Sequence, residues 1–136
     1  MRFYLDSMVW IYALEGDPVF GGAAQRLLHN IRIDRHTLLT SYFLLGEITV
    51  LPARRQDAFT IASYRRLLLA SPAVEVVPFE GEASSHFATL RANLRTKPAD
   101  SIHLALAASA KADVFVTGDV RLQNLSIASI GRIQTL

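Results

Sequence analysis

Short β-prone runs alternate with helix-period segments along almost the whole chain, and this alternation limits the folds open to it. Phe3-Tyr4-Leu5, Thr37-Leu38-Leu39-Thr40, Val74 to Val77 and Asp113-Val114-Phe115-Val116-Thr117 read as strands, with Ile127 to Ile133 supplying a last one. Between them, Met8 to Leu14, Gly22 to Arg32, Ser41 to about Pro52, Gln56 to Ala70, Glu82 to Leu94 and Pro98 to Ala110 read as helices. Ser7 offers a cap for the first helix, which Gly16 and Pro18 close. Pro98 opens the last one at a first-turn position, where its missing N–H costs nothing. In the Gln56–Ala70 segment, Ile61, Tyr64 and Leu68 fall on one side. Strands separated by helices pair in parallel, so the pattern predicts an α/β sandwich with a mainly parallel sheet of about five strands. No composition shift or repeat divides the 136 residues, which are expected to form one domain, 1–136.

Hydrophobic residues make up 51% of the chain, and the mean hydropathy is +0.26. A membrane span does not account for this. The longest mainly apolar stretch, Leu38 to Leu51, contains Gly46 and Glu47 and falls short of the ~20 residues a span needs. The start, Met-Arg-Phe-Tyr-Leu-Asp, lacks the long apolar core of a signal peptide. The surplus therefore predicts a sheet buried on both faces and a sticky surface suited to a dimer or a protein partner. The chain has no cysteine, which rules out disulfides and thiolate metal sites and suits a reducing cytoplasm. The net charge is +2, yet the pI is about 9.3. If several of the 12 acids share one cleft, the remaining surface is distinctly basic and fits a polyanion.

Four acids stand where such a cleft would form, at the carboxyl ends of parallel strands. Asp6 ends the first strand, and Asp119 lies just past Thr117. Asp100 falls in the first turn of the helix opened by Pro98, and Glu47 interrupts an otherwise apolar helical segment. Singly, three of them have purely structural readings. Asp6 and Asp119 could cap helices, and Asp100 could favour a helix dipole. Glu47 is harder to place this way, because an unpaired charge on an apolar face is costly. If the four converge, their repulsion calls for a hard, oxygen-loving cation such as Mg²⁺ or Mn²⁺. Among the other acids, Asp113 begins its strand and so faces the opposite edge. Glu15, Asp57, Glu75, Glu80 and Glu82 read as solvated, and Asp17 and Asp34 as turn or cap residues.

The segment Lys97-Pro98-Ala99-Asp100-Ser101-Ile102-His103-Leu104-Ala105-Leu106-Ala107, followed by Ala112-Asp113-Val114-Phe115-Val116-Thr117-Gly118-Asp119, resembles the C-terminal half of PIN domains. With Phe3-Tyr4-Leu5-Asp6-Ser7 and the Ser41–Glu47 stretch, the likeness covers almost the whole chain. It implies a PIN-like α/β/α fold and a metal-dependent nuclease centre, with the family's four acids falling on Asp6, Glu47, Asp100 and Asp119. Thr117 matches a small hydroxyl residue that orders a water near the last acid, and it is equally a β-branched strand end. Ser7 stands where Thr is frequent, and Gly118 where Asn is. The length resembles VapC-type toxins, which implies an RNA substrate, a cognate VapB-like antitoxin that blocks the acidic cleft, and a toxin homodimer.

On that reading Mg²⁺, with Mn²⁺ able to substitute, activates water and steadies the leaving oxygen. Hydrolysis then leaves 5′-phosphate and 3′-hydroxyl ends. His103, three residues after Asp100, reads as a packing or supporting residue rather than a ligand. Arg54, Arg55, Arg91, Arg95 and Arg121 are candidate phosphate contacts, and each is equally a solvated or antitoxin-facing arginine. Arg91 and Arg95 share a helix face if their helix extends far enough. A receiver-like domain would need a well-placed lysine, which neither Lys97 nor Lys111 supplies. A haloacid-dehalogenase-type phosphatase would need an Asp where Met8 stands. A non-catalytic PIN-like scaffold that binds protein or RNA is the alternative from a different class.

Overall fold

The computed structural model describes residues 1–136. In chain order the elements are β1 (Arg2–Leu5), α1 (Ser7–Glu15), α2 (Gly21–Ile33), β2 (Thr37–Thr40), α3 (Tyr42–Ile48), α4 (Val50–Arg54) and α5 (Ala58–Leu69). They continue as β3 (Val74–Val76), α6 (Gly81–Asn93), α7 (Pro98–Ser109), β4 (Val114–Thr117), a 3₁₀ turn (Val120–Leu122) and β5 (Arg132–Thr135). The five strands form one sheet in the order β3-β2-β1-β4-β5, and every pair is parallel. All strands therefore point their carboxyl ends the same way, with β1 at the centre.

Period-2 alternation divides the core between the two faces. Phe3, Leu5, Leu38, Val114 and Val116 join Val9, Trp10, Leu44, Ile48 and Leu68 on one side. Tyr4, Leu39 and Phe115 join Leu90, Leu104 and Leu106 on the other. Tyr4 stacks on Phe115 with ring centroids 5.6 Å apart, as expected of neighbours in register across β1 and β4. No helix is long and apolar enough to cross a membrane.

Several boundaries differ from the sequence reading, each for a local reason. The helix expected to run to Pro52 stops at Ile48. Thr49 Oγ1 donates to the Leu45 carbonyl at 2.7 Å, and Pro52 cannot donate backward, so it sits in the first turn of α4 instead. Helix α5 starts at Ala58 because Gln56 takes a left-handed φ of 55° and Asp57 accepts from Thr60 N at 3.0 Å as its cap. Helix α6 ends at Asn93, with Leu94 already extended, so Arg95 lies outside it and shares no helix face with Arg91. Glu75 is not free in solvent; it accepts from Arg2 Nη1 and Nη2 at 2.8 and 2.9 Å, across the intervening strand.

The last strand is also displaced. The expected Ile127–Ile133 run is mostly loop, and pairing with β4 begins at Arg132. Ile127 is buried in the α6–α7 layer rather than in the sheet. Gly131 is the pivot: its N–H donates to the Ala112 carbonyl at 2.9 Å, and a Cβ there would stand 2.5 Å from the Asp113 carbonyl oxygen. Only glycine permits that approach. Gly131→Ala is expected to destabilise the protein by about 1–3 kcal/mol through backbone overpacking, measured by urea unfolding. An unchanged midpoint would show that β5 can shift away freely.

Candidate active site

Asp6 follows β1 directly and accepts the Val9 N–H at 3.1 Å, so the cap of α1 is Asp6 rather than Ser7. Its other oxygen accepts from the Thr117 hydroxyl and from Gly118 N at 3.3 Å. These partners come from the end of β4, the neighbouring strand. Thr117 in turn accepts the Asp119 N–H at 3.0 Å. A run of hydrogen bonds thus links the two strand-end acids through Thr117. Asp6 is only 7% exposed, no Lys or Arg pairs with it, and burial raises its pKa despite those bonds.

Glu47 reaches the same end of the sheet from α3, which Ser41 caps by accepting from Leu44 N at 3.0 Å. The Glu47 carboxylate meets Nε2 of His103. Behind it, His103 Nδ1 lies 2.9 Å from the Tyr4 hydroxyl, which lies 3.3 Å from Ser41 Oγ. One direction of donation satisfies every atom: Ser41 to Tyr4, Tyr4 to Nδ1, and Nε2–H to Glu47. Burial drives the Tyr4 pKa well up, which keeps the phenol a donor. His103 is 2% exposed and is a support for Glu47, not a group open to solvent. Tyr4 and Ser41 were not singled out in the sequence as parts of this support. The available signal was a tyrosine inside an apolar strand, since a buried hydroxyl needs a partner.

Asp100 lies in the first turn of α7 and, with Asp119, lines a cavity of about 270 Å³ together with Arg95, Lys97 and Arg121. Burial first, and then the charge of Asp119, raises the Asp100 pKa. Asp119 caps the 3₁₀ turn and is held by Arg121, whose Nη2 is 2.6 Å from Oδ2. That pairing lowers the Asp119 pKa. Asp113 lies at the far end of the strands, accepting from Arg2 N at 2.6 Å.

The basic candidates separate. Arg95 and Arg121 line the acidic cavity. Arg91 donates to the Thr96 carbonyl and braces the loop before α7. Arg54 and Arg55 are exposed at the end of α4 and are not among the residues lining the cavity. A larger groove of about 570 Å³, between α2 and α5 with Trp10 and Leu38 in its lining, contains no acid and offers no comparable chemistry.

The donor set fits a hard divalent cation by type, being all carboxylate oxygen, and by charge, since Asp100 and Asp119 repel. No three His, Asp or Glu groups are close enough to hold one ion as the side chains stand. Glu47 is turned onto His103 and Asp119 onto Arg121. His103 takes one oxygen of Glu47, whereas both oxygens of Asp119 are engaged by Arg121.

The model of the PIN domain matches residues 3–128. No curated protein sequence matches the chain. Among solved structures, the fold is similar to VapBC2 from Rickettsia felis bound to a promoter DNA fragment, with a TM-score of 0.75 and 16% identity over 100% of this chain and 99% of that one. It is also similar to Mycobacterium tuberculosis VapC20, a sarcin-ricin loop cleaving toxin, with a TM-score of 0.73 and 15% identity over 94% and 98% of the two chains. DNA-bound VapBC from Salmonella typhimurium gives a TM-score of 0.73 and 18% identity over 99% and 98%. With its strand-end acids and a family match over nearly its full length, the chain belongs to the PIN-domain family.

Proposed function

We propose that this protein is an endoribonuclease of the VapC-toxin kind, dependent on Mg²⁺ or Mn²⁺, and that Asp6, Glu47, Asp100 and Asp119 hold the metal. The observation that carries the reading is a family member whose buried Asp6 is joined through Thr117 to Asp119, with Asp100 repelled by Asp119 beside them. Carboxylates kept at this cost are a poor choice for a passive scaffold. When bound, the divalent cation supplies Lewis acidity and lowers the pKa of water.

The chain's own residues do the rest. Thr117 fixes the Asp6 carboxylate by donating to Oδ2. The Ser41–Tyr4–His103 series aims Glu47 and satisfies one of its oxygens. Arg95 and Arg121 at the cavity wall draw in the RNA backbone, with exposed Arg54 and Arg55 as further contacts. Arg91 acts at one remove, by shaping the loop that carries Arg95. The solved VapBC relatives support a VapB-like antitoxin as partner, entering the acidic cavity with a basic side chain. Exposed apolar side chains, Val19 at 75% and Phe59 at 83% among them, supply surface for that partner and for a second copy in a homodimer. A cytoplasmic place suits such a protein.

The purified chain, freed of antitoxin, is expected to cut total RNA with Mg²⁺ or Mn²⁺, to stop in EDTA, and to leave 5′-phosphate and 3′-hydroxyl ends. Cyclic phosphate ends would indicate attack by the RNA 2′-hydroxyl and overturn the mechanism. Metal binding without any cutting would favour the non-catalytic scaffold.

A further inference from the structure

Arg121 is the one arginine or lysine that reaches a candidate ligand carboxylate. Its Nε lies 2.9 and 3.1 Å from Oδ1 and Oδ2 of Asp119, and its Nη2 lies 2.6 Å from Oδ2. The Arg121 backbone N–H also donates to Oδ1, at 2.9 Å. Both carboxylate oxygens are thus turned onto one residue, two positions along the same 3₁₀ turn. The same guanidinium faces Asp100 across the cavity and is attracted by it. The side chain is 67% exposed, so nothing packs it permanently in place.

A divalent cation and a guanidinium cannot both take the two oxygens of Asp119. A guanidinium fork fits a phosphate as well as it fits a carboxylate. We propose that Arg121 competes with the divalent cation for Asp119 and, when that cation binds, is released to hold a phosphate of the RNA strand. The exchange makes phosphate binding by Arg121 conditional on metal, and by reciprocity RNA tightens the metal. Arg95 lines the same cavity but makes no contact with an acid, so it brings charge without the competition. The inference rests on the nuclease reading above.

The test is Mn²⁺ binding to the full chain, followed by the electron paramagnetic resonance signal of free Mn²⁺. Arg121→Gln is expected to bind Mn²⁺ about 3- to 5-fold more tightly, the scale of releasing one exposed, well-formed ion pair. Arg95→Gln removes the same charge from the same cavity and is expected to give less than half that change. An Arg121→Gln affinity equal to or weaker than wild type, or an equal gain in Arg95→Gln, overturns the proposal. Asp100→Asn separates the two levels of inference. If Mn²⁺ binding is lost in Asp100→Asn but indifferent to Arg121→Gln, only the Arg121 exchange falls. If wild type binds no Mn²⁺, or Asp100→Asn binds it equally, the nuclease site falls and the exchange with it.

The second readout is binding of a cleavage-resistant phosphorothioate RNA at several salt concentrations. With Mn²⁺, Arg121→Gln is expected to flatten the slope of log affinity against log salt by about 0.7, the value of one phosphate contact on a single strand. In EDTA it should leave the slope unchanged. The same slope change in both conditions would overturn the metal-conditional release.

Discussion

Asp100→Asn is expected to abolish metal-dependent RNA cleavage while raising the melting temperature of the protein. The Asp100 carboxyl is partly buried and repelled by Asp119, and hydrogen bonding contributes nothing to its ionised form. Its folded-state pKa is therefore raised. For an acid, this means that the neutral form contributes stability at low pH, which is lost as pH rises through the folded pKa. At neutral pH the ionised side chain works against folding, and asparagine removes that charge with almost no change in shape. The half-open cavity screens the effect, so a gain of about 1–3 °C is expected in a domain of this size. The gain should shrink as pH falls into the carboxylate range, where the wild type loses the charge as well. Cleavage should drop by a factor of about 100 or more, the order expected for losing part of a charge-stabilising group. Full activity in Asp100→Asn would remove the residue from the site. A lower melting temperature would mean that its charge is already neutralised in the fold.

The largest loss of stability is expected at Trp10, one helical turn after Asp6 and turned into the core. Trp10 is 1% exposed within the α1–α2–α5 face of the core, and its indole N–H has no hydrogen-bond partner. Trp10→Ala is expected to cost about 3–5 kcal/mol in urea unfolding, a large part of the roughly 5–15 kcal/mol that holds a typical domain together. Trp10→Phe should cost distinctly less, because the unpaired donor leaves with the ring atoms it belongs to. Equal losses in the two variants would show that the N–H carries no penalty.

The parts of the fold that were legible in the sequence are those set by local periodicity. β1, β2, β3 and β4 fall where β-branched and aromatic runs stand, and Pro98 marks the start of α7. What escaped depends on contacts between distant residues. The β5 position turns on Gly131 meeting the backbone of Ala112 and Asp113, which no pattern of Ile and Ser within residues 127–133 reveals. The Arg2–Glu75 pair joins residues 73 positions apart, so Glu75 reads as solvated until the sheet order is known. The helix reading for Arg95 failed because Leu94 is already extended.

At the site, the placement of Asp6 at a strand end and of Asp100 in a first turn could be read directly. The support behind Glu47 could not. It needs Tyr4, Ser41 and His103 from three separate elements, brought together only when β1 and β2 pair and α7 packs over them. Sequence spacing brings His103 toward the face of Asp100, where it reads as a packing or supporting residue, but it does not name the group being supported.

The strand order has a consequence for how such a protein can be made safely. β1, which precedes the other four strands in sequence, occupies the centre of the sheet, and its β4 neighbour comes from residues 114–117. A growing chain shorter than that has Asp6 and Glu47 but lacks both Asp119 and the Thr117 hydroxyl that fixes Asp6. On the nuclease reading, unfinished chains are inert. Activity then waits on one docking step, when β4 slides in beside β1.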